Sequence, residues 1–213
     1  MTRPQGPPLF WRRLPQLLAG LTLFGIGMGC MVQASVGVSP WDVLATGLVN
    51  VTGLEFGVIT VLVGVAVLLL WIPLREKPGI GTLLNVLMLG PVAQLVIWLV
   101  PSPENLLLRS LLFALGLSLV ALGSGLYIGA QFGPGPRDGI MTGVHRITGW
   151  PVWAVRTGIE VSVLLIGWML GGNVGVGTLA FALLIGPLAA PAMRWFDLRQ
   201  RILDEIARRE NEQ

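Results

Sequence analysis

The chain has 213 residues, of which 54% are apolar and only 12% charged; its mean hydropathy is +0.76 and its formal net charge +3. A soluble domain carries about a quarter charged residues, so that class is excluded. Disorder is excluded by the hydrophobicity, and a disulfide scaffold by the single cysteine, Cys30.

A bilayer core of about 30 Å takes about 20 helical residues. Six apolar runs meet that length: Gln16–Val36, Phe56–Pro73, Gly81–Val100, Leu106–Phe132, Val152–Leu170 and Gly175–Trp195. They are Leu-rich and lack alternation, so they predict helices rather than barrel strands. With six spans, both termini lie on one side. Thirteen of the fourteen Lys and Arg residues fall on that side and only Arg109 on the other, which predicts cytoplasmic termini. The basic pI is then a topology signal, and no nucleic-acid partner is implied. The tail Phe196–Gln213 reads as a charged cytoplasmic helix.

The chain matches itself at a spacing of 96 residues. Gly37-Val38-Ser39-Pro40-Trp41-Asp42 meets Gly133-Pro134-Gly135-Pro136-Arg137-Asp138, Gly79-Ile80-Gly81-Thr82-Leu83 meets Gly175-Val176-Gly177-Thr178-Leu179, and Gly90-Pro91 meets Gly186-Pro187. Between Gly37 and Ala93, 20 of 57 positions are identical. The first apolar run has an interior counterpart, so it reads as a span and not as a cleaved signal peptide. Three spans per repeat turn the second copy upside down. The expected organisation is a cytoplasmic N-terminal tail (1–13), a first repeat (14–100), a second, inverted repeat (106–195) and a cytoplasmic helix (196–213). The fold class is thus six transmembrane helices in a 3+3 inverted-topology repeat, a pattern found in secondary transporters with a mid-membrane site.

Each repeat also contains a segment of about twelve residues, too short to span. Ser39 is a good N-cap, Pro40 suits the first helical position, and Asp42 completes a capping box. In the copy, Gly135 takes the cap position and Asp138 the third. These short helices either lie in the interface or dip inward as half-helices. If they dip, their positive ends point to the centre, Asp42 and Asp138 become proton or cation sites, and Arg137 becomes an anion clamp. The alternative is that both Asp residues only cap helices and Arg137 only sets topology.

Glu160 lies near the middle of the fifth span, where an acid costs about 2.5–3.5 kcal/mol. It is expected to face the bundle interior, as a binding group or as half of a packing pair with Arg156, one turn earlier. Asn85, within the third span, reads as interhelical glue or a ligand. Gly90-Pro91 and Gly186-Pro187 are candidate kinks and hinges. No cofactor and no metal site is indicated: there is one histidine, His145, and no phosphate loop, zincin or nucleophile-elbow motif.

The runs Gly37-Val38-Ser39-Pro40-Trp41-Asp42-Val43, Gly79-Ile80-Gly81-Thr82 and Gly129-Ala130-Gln131-Phe132-Gly133-Pro134-Gly135-Pro136-Arg137-Asp138-Gly139 resemble the YczE branch of the YczE/YyaS/YitT family of bacterial membrane proteins. The resemblance implies a multi-pass plasma-membrane protein and supplies no reaction and no catalytic residue. Two functions follow from the residues. One is a secondary transporter of a small polar or anionic solute, using Asp42, Asp138, Arg137, Glu160, Arg156, Ser39 and Asn85. The other is a non-transporting scaffold for a biosynthetic or envelope assembly, docking through the C-terminal helix. An intramembrane enzyme is disfavoured, because only Glu160 lies clearly at depth. The partners expected are lipid and a small solute, with a homo-oligomer left open.

Overall fold

The computed structural model describes residues 7–197. The tail expected as a helix lies beyond Asp197, outside the described residues. Among the described residues eight helices follow in order: α1 Pro7–Ala34, α2 Pro40–Thr52, α3 Phe56–Leu74, α4 Ile80–Leu99, α5 Leu106–Gly129, α6 Pro136–Thr148, α7 Val152–Met169 and α8 Val176–Phe196. Six of them contain stretches long and apolar enough to cross a membrane: Arg13–Ala34, Phe56–Leu74, Ile80–Leu99, Leu106–Gly129, Val152–Met169 and Val176–Phe196. Their bounds agree with the six predicted runs to within three residues, because continuous apolarity ends where Gly, Pro and polar caps begin. The outward faces carry Leu62, Leu69, Leu87 and Trp98, as lipid-facing helices do.

The short helices are set by local chemistry. Ser39 caps α2, accepting the Asp42 N–H at 3.3 Å, and Gly53 ends the helix in the left-handed region, at φ 72°. Helix α6 starts on Gly135 and Pro136 and ends on Gly149 at φ 71°. Both helices have 13 residues, and they lie 96 positions apart. The entering loops match as well. Gly37 and Gly133 adopt φ 115° and 125°. A side chain at either would be strained, and a Cβ on Gly37 would also lie 2.7 Å from the Thr178 N–H nitrogen.

The core is the crossing of α1 and α5, which pack along each other. Around it α1 packs on α4 and α5 on α8, while α2 packs on α7 and α3 on α6. Each short helix therefore leans on a long helix of the other half. Hydrogen bonds join the halves at related places. The Gly81 N–H donates to Phe132 O at 3.1 Å, and the Gly177 N–H to Val36 O at 2.8 Å. Both donor and acceptor are displaced by 96 residues between the two bonds. One pairing breaks the pattern: α3 packs along α4, and α7 makes no comparable contact with α8.

Candidate functional site

The entrances of α2 and α6 converge on a cavity of about 330 Å³ lined by residues from all eight helices. Ser39, Asp42, Asn85, Arg137, Asp138, Arg156, Glu160 and Gly186 all reach it. Seven of these are the candidate binding residues singled out from sequence, and the fold brings them to one place. Gly90, Pro91 and Pro187 are not in its lining. Pro91 and Pro187 sit inside α4 and α8, which continue through them. Gly90 is a packing position: a Cβ there would strike Gly57 O of α3.

Asp42 is 3% exposed. The expected capping box closes differently from its sequence pattern. The Ser39 hydroxyl donates to Asp42 Oδ2 at 2.6 Å, while Asp42 Oδ1 lies 3.7 Å from Arg137 Nη2. The carboxylate thus faces a hydroxyl and a guanidinium instead of the Ser39 backbone. A buried carboxylate is tolerable only with such partners. The Arg137 guanidinium also sits over the Trp41 ring, 5.1 Å from its centroid, a cation–π contact. Trp41 and Arg137 occupy the same position in the two copies. The second residue of α2 therefore stacks on the second residue of α6.

Asp138 makes no ion pair within 4 Å among the described residues. A Cβ on Gly135 would lie 2.9 Å from Asp138 Oδ2 and 3.5 Å from Tyr127 Oη, so carboxylate and phenol both crowd the start of α6. On α7, Glu160 Oε1 accepts from Arg156 Nε at 3.0 Å. This is the one-turn pair anticipated from sequence, and it lies in the cavity wall.

Sequence reasoning missed two residues. Trp41 and Tyr127 line the cavity and are 7% and 4% exposed. Trp41 Nε1 and Tyr127 Oη are buried with no hydrogen-bond partner among the described residues. Native interiors hold few such atoms, each costing about 1–3 kcal/mol. The available signals were that Tyr127 is the only tyrosine in the chain and that Trp41 is the repeat counterpart of Arg137. No cluster of three or more His, Cys, Asp or Glu side chains able to hold a metal is found among the described residues.

The profile of a family of unknown function, DUF6198, matches residues 11–194. The chain belongs to the DUF6198 family. It is 36% identical over 176 residues to an uncharacterized protein of Haemophilus influenzae, covering 83% of this chain and 81% of that one. It is 32% identical over 170 residues to the uncharacterized membrane protein YczE of Bacillus subtilis, covering 79% of each. It is 29% identical over 175 residues to the uncharacterized protein YyaS of the same organism, covering 79% of this chain and 86% of that one. No solved structure matches. The six apolar helices and the membrane relative agree that this DUF6198 chain is a multi-pass membrane protein.

Proposed function

We propose that this protein is a secondary transporter of a small polar or anionic solute, working by alternating access in a bacterial plasma membrane with both termini in the cytoplasm. In this reading residues 14–100 and 106–195 are two halves of opposite orientation, and the solute binds where they meet. One observation carries it: the starts of both short helices, with Asp42, Arg137 and Asp138, converge on a single cavity that also holds the Arg156–Glu160 pair. Several ionised groups in an otherwise apolar bundle are expensive to keep, and such groups mark solute and proton pathways in membranes. The placement of matched cross-half hydrogen bonds 96 residues apart supports two like halves, and the odd number of spans in each sets them in opposite orientation. The lopsided distribution of Lys and Arg supports the orientation. Asp42 and Asp138 serve as solute or proton groups, Arg137 as the anion-facing group, and rocking of one half against the other alternates access.

The experiment compares metabolites inside and outside cells with and without the protein, then measures flux of the accumulated compound in proteoliposomes. Wild-type vesicles carry flux, and Asp138→Asn with Glu160→Gln lowers it at least tenfold while the protein elutes as a folded species. Unchanged flux in the double variant removes both carboxylates from the mechanism. Absence of flux together with a stable co-purifying protein, lost on deletion after Arg199, replaces transport with the scaffold reading.

A further inference from the structure

We propose that the ligand of the central cavity is a small organic carboxylate with an apolar body, held by the Arg137 guanidinium, the Trp41 Nε1–H and the Tyr127 hydroxyl. This deepens the transport reading by naming the solute class, and rests on it only for the cavity's being a solute site.

Two polar atoms of the cavity wall are buried without a partner among the described residues. Two of the three cavity carboxylates hold a donor on one oxygen each. Asp42 takes the Ser39 hydroxyl at 2.6 Å, and Glu160 takes Arg156 Nε at 3.0 Å. Asp138 is exposed at the cavity, beside the start of α6. The donors are not matched in the same way. Trp41 Nε1, which can only donate, has no acceptor, and neither does the Tyr127 hydroxyl. Arg137 offers five N–H groups. Its single ion pair among the described residues is the 3.7 Å approach to Asp42, longer than a hydrogen bond. Two buried polar atoms without partners, beside a partly exposed guanidinium, call for a ligand that brings its own acceptors. Because Arg137 lies over the Trp41 ring, guanidinium and indole share one corner of the cavity. A planar two-oxygen acceptor suits a guanidinium fork better than a lone carbonyl does. Size sets the body: about 330 Å³ is about eleven water volumes at about 30 Å³ each. Much of the remaining wall is apolar, as at Phe24, Val67 and Ile185.

Charge balance gives the second part. The five ionised side chains of the lining sum to one negative charge, and the ends of α2 and α6 supply about half a positive charge each. An added carboxylate leaves one negative charge to compensate. A zwitterion brings its own ammonium group. A simple acid brings a proton, for which Asp138 is the acceptor, faced by Arg137 on its own helix, Arg156 and Glu160 on α7 and Tyr127 on α5. The carboxylate is common to both.

The test is equilibrium binding to the full chain in lipid nanodiscs, with empty nanodiscs as control. Phenylacetate and phenylalanine are the acids; phenylacetamide and 2-phenylethanol are the compounds matched to the first, and phenethylamine the one matched to the second, all lacking a carboxylate. At least one acid is expected to bind, at least tenfold tighter than its matched compounds. Trp41→Phe and Tyr127→Phe should each weaken that acid about tenfold, the scale of a hydrogen bond to a charged group. Tyr127→Phe should leave the melting temperature of the unliganded protein unchanged or higher, since it deletes an unpartnered donor; Trp41→Phe also loses packing volume against Val67, Trp71 and Ile140 and is read by affinity alone. Tight phenylalanine binding without proton uptake identifies the zwitterion arm; phenylacetate binding with proton uptake identifies the other. The proposal is overturned if no acid binds, if the amine is preferred, or if the two variants keep full affinity. Acid binding without vesicle flux discards transport and leaves this site standing. Flux of a solute without a carboxylate, with no acid bound, does the reverse.

Discussion

The seam between α3 and α4 and the corresponding seam between α7 and α8 are built on related backbones and end up different. In the first, the Gly57 N–H donates to Gln94 Oε1 at 2.9 Å, Gly90 abuts Gly57, and a Cβ on Gly64 would lie 2.9 Å from a Val86 methyl. Two helices that meet through glycine approach closely. At the same positions the second half has Trp153 for Gly57, Glu160 for Gly64 and Ala190 for Gln94. Gly186, the counterpart of Gly90, would meet nothing within 4 Å if it gained a Cβ. The first seam is a wall. The second is a gap into which Glu160 and Arg156 look, beside the cavity. At these positions, 96 residues apart in the sequence, side-chain volume decides which seam closes.

The same rule appears where each short helix meets the other half, with the bulk exchanged. Trp71 of α3 packs on Gly139 of α6, whereas Gly167 of α7 packs against Val43 and Leu44 of α2. Residues 71 and 167, like 43 and 139, are repeat counterparts. The large group sits on the long helix in one interface and on the short helix in the other, so both fit.

The largest test of this comparison is Trp71→Ala. Trp71 is 1% exposed and its Nε1–H donates to Pro136 O at 3.0 Å. Truncation should cost about 3–5 kcal/mol, read as a lowered midpoint in reversible unfolding in detergent; a loss below about 1 kcal/mol would show that this contact does not anchor α6. The next test is a matched pair. Gly90→Ala should destabilise by about 1–3 kcal/mol through overpacking. Gly186→Ala should be neutral or stabilising by up to about 1 kcal/mol through helix propensity. Equal losses in both would mean that the second seam is closed. The smallest effect belongs to Arg156 and Glu160, a half-exposed one-turn pair. Glu160→Gln should shift unfolding by about 0.5 kcal/mol or less, while its effect on flux is large if the transport proposal holds. A large stability loss instead would make the pair a packing lock.

Much of the fold could be read along the chain. The spans, the two short helices and their glycine stops follow from local apolarity, capping residues and the repeat, none of which needs long-range information. The site was legible as a list: Asp42, Arg137, Asp138 and Glu160 stand out because charges are scarce in apolar surroundings. Their partners were not legible, apart from Arg156 with Glu160, which one helical turn dictates. The approach of Asp42 to Arg137 spans 95 positions and arises only when two helix entrances meet. Trp41 and Tyr127 read as ordinary apolar bulk, and their importance appears only when their polar atoms are found without partners.

The sequence by itself determined that this chain has six apolar helices, two short ones between them, and a 96-residue periodicity, because hydropathy, capping and self-similarity are properties of neighbours in the chain. Only the tertiary structure decided that both short helices open onto one cavity, that one seam is sealed and its counterpart gapes, and which buried donors lack acceptors. Those outcomes depend on volume and hydrogen-bond matching between residues distant in sequence, where a single glycine or tryptophan decides how closely two helices approach.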